Sequence, residues 1–246
     1  MPKHFESGPK FNNLGMNNRT NEQSNFRRES IRKSEITSEE LERVEKSKMT
    51  IDDKINLLLT MGGLKPASEI LLVIKTRDDK GLTEHISEEE VQEALGVIQE
   101  SGLPYRFKDR EVIQEPYRTK KEPKIQRFYR REQMKILLGR TSEELEFLER
   151  ALKSKSDEML GKAFGFPPTT IEAFIGKREV LNRQSLPSDI KHSDGILFSS
   201  PTLSRDNWQE EIKQGQRYGE FIKKLSPKLY EETRSMALKN LENSDF

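Results

Sequence analysis

Apolar positions along this chain change period several times, and each change predicts a different element. Residues 1–48 show no sustained period. The stretch 12–21 is amide-rich, and Phe5, Phe11 and Phe26 stand too far apart to bury enough area to offset the ordering entropy. A disordered basic and polar tail over 1–48 is expected, with Thr37-Ser38-Glu39-Glu40 as a weak start for a charged helix. From Thr50 the pattern becomes helical. Ile51, Ile55, Leu58 and Leu59 share one face, and Gly62-Gly63 supplies the stop. The run 70–74, Ile-Leu-Leu-Val-Ile, is short and partly β-branched and reads as a buried strand, although a short helix fits the same run. Ser87 and Glu90 form a capping-box signature ahead of Val91, Ala94, Leu95 and Ile98, which predicts a helix ending at Gly102.

Between 104 and 131 aromatic and β-branched residues interleave with charges, with Pro116 and Pro123 bounding the middle. Two or three short strands in a hairpin or meander are predicted there. Helices follow over 131–138, 142–153, 156–164 and 168–176. A linker-like connector is expected over 177–203, and a helix from Ser204 or Asp206 carries Trp208, Ile212, Gly215, Gly219 and Ile222 on one stripe. Ser226-Pro227 should break it before a last helix. These elements make an α+β fold with a small antiparallel or mixed sheet and a helical C-terminal half. The domain would run over 49–176, with the helices of 204–246 packed on it.

Composition narrows the class. Only 32% of the 246 residues are hydrophobic and 35% are charged, so the core cannot involve the whole length. With no cysteine there is no disulfide scaffold, thiolate metal site or cysteine nucleophile. The longest apolar run is five residues, too short to span a membrane as a helix, so a cytoplasmic protein is expected. Forty-three basic residues nearly balance 42 acidic ones, so net charge gives no case for nucleic acid. The distribution is less even: 104–140 holds twelve Lys and Arg against five acids.

Within that segment Tyr105, Arg106, Arg118, Lys120, Lys121, Arg127, Tyr129, Arg130 and Arg131 combine flat rings with cations. On a strand pair, such rings stack bases while the cations neutralise phosphates. The simpler reading is a half-buried sheet with aromatics facing inward and charges facing water. A rival enzyme reading uses Asp109, Glu111, Glu122 and Lys124, whose acid-x-Lys spacing could hold a hard cation for phosphodiester hydrolysis. Pro123 inside the required strand argues against it.

The stretch 160–174 contains Gly165-Phe166-Pro167 ahead of Thr169, Thr170 and Glu172-Ala173-Phe174. It resembles an uncharacterised prokaryotic protein family in which a Gly-Tyr-Pro turn precedes paired small or cysteine residues and an acidic-Ala-Phe helix. The resemblance implies an α+β fold and no chemistry. Physically, Thr169 and Glu172 could cap the helix, or Lys162, Thr169 and Thr170 could bind an anion at its start. Gly161-Lys162 is not a P-loop, because Ser156 stands where the first glycine is required. His4, His85 and His192 have no metal-ligand spacing, and Ser199 or Ser200 with His192 and Asp194 lacks a nucleophile elbow. Trp208, Gly215 and Gly219 suit a close helix contact, either within the domain or with another protein. The expectation is a non-catalytic nucleic-acid-associated or adaptor protein with no cofactor and no resident metal.

Overall fold

A computed structural model of the chain describes residues 35–78, 81–117, 127–199 and 202–243. The fold is α+β, with ten α-helices among the described residues and one five-stranded antiparallel sheet. The expected tail is shorter than 1–48. Residues 1–34 lie outside the described residues, but Thr37 closes a capping box with Glu40 and starts α1 (Ser38–Lys46). That helix belongs to the core, because Val44 is 1% exposed and Met49 just after it is buried. The helix signal was legible; the anchoring Val44 was too isolated in sequence to show that the helix docks.

Helix α2 (Ile51–Met61) starts at the Thr50 cap and buries Ile55, Leu57, Leu58 and Leu59. Strand β1 (Ala67–Asp78) extends the predicted strand at both ends, and β2 (Gly81–Glu84) folds back beside its outer end. The Asp53 carboxylate of α2 accepts from the Leu71 amide at 3.2 Å, fastening α2 to β1. Helix α3 (Glu88–Glu100) has the predicted Ser87–Glu90 capping box. Then come β3 (Tyr105–Phe107), β4 (Glu111–Tyr117) and β5 (Arg127–Gly139).

Strand β5 is the largest correction, because 131–138 was expected to be helical. It is the central strand, paired with β1 on one side and with β3 and then β4 along the other. Met134, Ile136 and Leu138 alternate onto the main core, whereas Leu137 points to the opposite face. Two-sided burial conceals the period-2 signal, since Ile136-Leu137-Leu138 reads as a continuous apolar run.

Both faces of the inner sheet are covered. On one face Ile70 lies opposite Ile136 and Leu72 opposite Met134, packed with apolar residues of α2, α3 and the C-terminal helices. On the other, Ala67 and Leu137 meet Leu145, Leu148 and Ala151 of α4 (Ser142–Ser154). The register shifts between Val73 and Lys75, leaving Ile74 as the extra residue of a bulge. Beyond it β1 has changed parity, so Lys75 and Arg77 stand on the face that Ile70 and Leu72 occupy further in.

The chain continues through α5 (Asp157–Ala163) and α6 (Pro168–Phe174). The 177–203 connector is structured rather than linker-like over its described residues. It holds a 3-10 turn at Arg183–Ser185, α7 (Ser188–Lys191) and α8 (Asp194–Leu197). Leu186, Ile196 and Leu203 form a small core with Ile212 of α9 (Trp208–Leu225). Ser226 separates α9 from α10 (Pro227–Asn243), and Tyr218, Ile222, Leu229 and Tyr230 of these two helices enter the main core. No helix among the described residues is long and apolar enough to cross a membrane.

Candidate nucleic-acid interface

The basic-aromatic segment divides into two halves with different fates. Its inner half is absorbed by the fold. Tyr105 and Phe107 lie opposite Leu138 and Ile136, with ring centroids 4.8 Å apart and ring planes tilted by 37°, and pack on the main core. Arg106 points to the other face, where it meets the buried Glu149 carboxylate of α4 at 3.1 Å, and Lys108 reaches the same carboxylate at 2.9 Å. Tyr105 and Arg106 therefore follow the plain half-buried-sheet pattern and offer no free ring or cation to a nucleic acid. Arg110 forms a two-pronged pair with Glu88 of α3, which holds the Glu88 carboxyl below its usual range.

The outer half differs. Beyond Ile74, none of the strand residues whose burial is described is buried, and all four residues of β2 are exposed. Four strands lie side by side here in the order β2, β1, β5 and β4. Registers set the faces, because residues directly opposite one another across a sheet share a face. Leu82, Arg77, Arg130 and Gln114 form one row across the four strands. Glu84, Lys75, Glu132 and Val112 form the next row inward, and Phe128 opposite Pro116 lies one step outward. Phe128 is 50% exposed, Val112 66% and Leu82 55%.

Tyr129 and Arg131 occupy the reverse face, opposite Glu115 and Ile113, and both are half-buried and engaged with other groups. Tyr129, Arg130 and Arg131 therefore do not form one surface. Arg127 is paired with Tyr117 in the backbone register of β5, and Arg118, Lys120 and Lys121 lie outside the described residues. Arg77 and Leu82 are absent from the sequence-based set. Reading the strand past Ile74 would have brought Arg77 into β1, but its place opposite Arg130 depends on the strand register.

The other candidate sites have other partners. Glu111 accepts from the Gln133 amide at 2.6 Å and lies 3.6 Å from the Lys135 ammonium; the hydrogen bond, then the ammonium, hold its carboxyl below the usual range. Asp109 is exposed, Glu122 and Lys124 lie outside the described residues, and no metal-binding group of three or more side chains occurs among those described.

At the start of α6 the N-cap is Pro167, without a side-chain cap, so neither the Thr169 cap nor the Glu172 capping box forms. Glu172 pairs with Arg178 at 2.9 Å instead. The Thr169 hydroxyl donates to the Glu211 carboxylate of α9, which is 2% exposed and also accepts from the Ser204 amide and hydroxyl at 2.8 and 2.6 Å. Thr169 is thus committed to a buried acid rather than open to an anion. Thr170 is buried, and Lys162 pairs with Glu158 at 2.8 Å.

Trp208 packs on the small core of Leu186, Ile196, Leu203 and Ile212. A Cβ on Gly215 would sit 2.3 Å from the Gly195 carbonyl oxygen, and one on Gly219 would meet Asp194 and Phe198 at 3.1 Å. The glycine stripe is therefore the seat of α8 within this chain, and sequence alone had left that partner open. No known protein family, curated protein or solved structure matches the chain.

Proposed function

We propose that the chain is a nucleic-acid-associated protein that works through the outer half of its sheet, by binding rather than catalysis. The observation that carries the reading is the face formed by Arg77, Arg130 and Phe128, where cations and an exposed ring stand together on regular strands. Guanidinium groups match phosphate oxygens, and a half-exposed ring offers a stacking platform that tolerates any base. A strand-borne platform also holds the groups at fixed spacing, so little ordering entropy is lost on binding.

The test is fluorescence anisotropy of the full chain with labelled single-stranded RNA, single-stranded DNA and duplex, at low and moderate salt and with and without Mg²⁺. Binding that weakens steeply with salt is expected. A chain lacking residues 1–34, a truncation that spares α1, should keep most of that affinity. Flat curves at low salt for all three probes would end this reading. Metal-dependent strand cleavage would replace it with the phosphodiesterase reading.

A further inference from the structure

We infer that Arg77 and Arg130 together clamp a single phosphate of a single-stranded nucleic acid, with the Phe128 ring stacked on an adjoining base. The inference rests on the nucleic-acid reading of this face and specifies its ligand. The two arginines are directly opposite one another on the antiparallel pair β1 and β5. Facing like charges are unfavourable in a sheet. Neither guanidinium has a hydrogen-bond or ion-pair partner among the described residues, and both are exposed. The surrounding cations are treated differently. Lys75 pairs with Glu84 at 3.0 Å, Arg110 with Glu88 at 2.5 Å, and Arg106 and Lys108 share Glu149. The acids of the next row inward, Glu84 and Glu132, already have Lys75 and Arg110 as neighbours, and Asp78 beside Arg77 is engaged in an interaction of its own. An anion between the two guanidiniums would relieve their repulsion.

Spacing favours one phosphate over two. Opposed Cα atoms of an antiparallel pair are about 4.5–5.5 Å apart, so two arginine forks meet readily on one tetrahedral group. Phe128 is two residues along β5 on the same face, about 6.6 Å from Arg130 by strand rise, within the reach from a phosphate to a neighbouring base. Gln114, opposite Arg130 in the same row, adds an amide beside the clamp. A base stacks on this ring only if its own face is free, which selects single strands over duplex. An acidic peptide would satisfy the arginines and leave the ring without a flat partner.

The experiment is a double-mutant cycle read by anisotropy on the full chain. Wild type, Arg77→Gln, Arg130→Gln, the double variant and Phe128→Leu are each titrated with a labelled single-stranded oligonucleotide, an abasic strand and a duplex over a salt series. Far-UV circular dichroism and thermal melting confirm that the exposed substitutions leave the fold intact.

Each arginine variant should lose about tenfold in affinity, and the double variant should lose little more than either single one, because both arginines serve one phosphate. The slope of log affinity against log salt should fall by about 0.7, the value for one phosphate contact in a single strand. Phe128→Leu should lose about tenfold on the normal strand and nothing on the abasic one. Additive losses with twice that change in slope would overturn the single-phosphate clamp, as would tighter binding of duplex than of single strand. Displacement of the oligonucleotide by poly-glutamate, with Phe128→Leu unchanged, would replace the ligand with an acidic protein. Wild-type affinity in both arginine variants would remove this inference alone. Absence of wild-type binding at low salt would remove the nucleic-acid reading with it.

Discussion

The inner and outer halves of the sheet are built from the same two long strands, yet they use similar residues to opposite ends. Inside the bulge, β1 and β5 have helices on both faces, and their cations and rings are consumed by the fold: Tyr105 and Phe107 join the core, and Arg106 and Lys108 answer the buried Glu149. Outside it, Phe128, Arg77 and Arg130 are exposed. The one-residue bulge at Ile74 marks the boundary and turns Arg77 onto the face of Arg130. A basic-aromatic composition therefore predicts no surface by itself. What decides is whether a helix supplies the second layer.

The sharpest way to break this contrast is to make matched truncations on either side of the bulge. Leu138 is fully buried between the sheet and the main core, so Leu138→Ala should cost about 2–5 kcal/mol in urea denaturation. An equal cost for Phe128→Ala would mean that the outer half also carries the core.

A second effect belongs to the covered half. Lys65, between α2 and β1, is nearly buried, donates to the Asn56 side chain at 2.8 Å and lies 5.7 Å from the centre of the Phe164 ring. Burial pushes its ammonium down to about 8. The unfolded chain holds that proton up to about pH 10.4, so between about 8 and 10.4 the unfolded state binds more protons and stability rises with pH. Below about 8 the burial cost is fully present. Lys65→Met should raise stability at pH 7 by up to about 3 kcal/mol, less what the lost Asn56 bond contributed, and should remove the rise between pH 8 and 10. Urea melts at several pH values check both parts. A wild-type profile flat across that window would show that the lysine is solvated.

Much of this architecture could be read from the chain, and the failures share a physical cause. Helices α2, α3 and α4 announced themselves through one-faced periodicity and Ser or Thr caps. Strand β5 did not, because two-sided burial erases alternation in 136–138 and the charged residues before it mimic a helical surface. The glycines at 215 and 219 signalled a close approach, but α8 as the approaching element is a non-local fact. The candidate surface was half legible. Arg130 stood out by composition, whereas Arg77 depended on a bulge and a register that only strand pairing fixes.

Smaller effects refine the division. Glu149→Gln removes the charge that Arg106 and Lys108 share. Both cations keep substantial access to water, with side-chain exposures of 45% and 39%, so the loss should be about 1 kcal/mol. Oligonucleotide affinity should stay within about twofold of wild type, because the freed cations stand on the inner half and on the reverse face from Phe128. A marked gain in affinity would extend the binding surface inward and blur the boundary at the bulge.

The smallest expected change in stability is at Phe128 itself. Half of the ring is already in water, so Phe128→Ala should shift unfolding by no more than about 0.5 kcal/mol. A large exposed ring on a strand is otherwise an aggregation hazard. Thermal melts of wild type and Phe128→Ala, run with and without a saturating single-stranded oligonucleotide, separate a binding role from a structural one. The free proteins should melt together, and only wild type should gain the full ligand-induced shift. If the variant melts well below wild type without ligand, the ring is a structural part of the outer strands and the two halves differ only in how much of the core each holds.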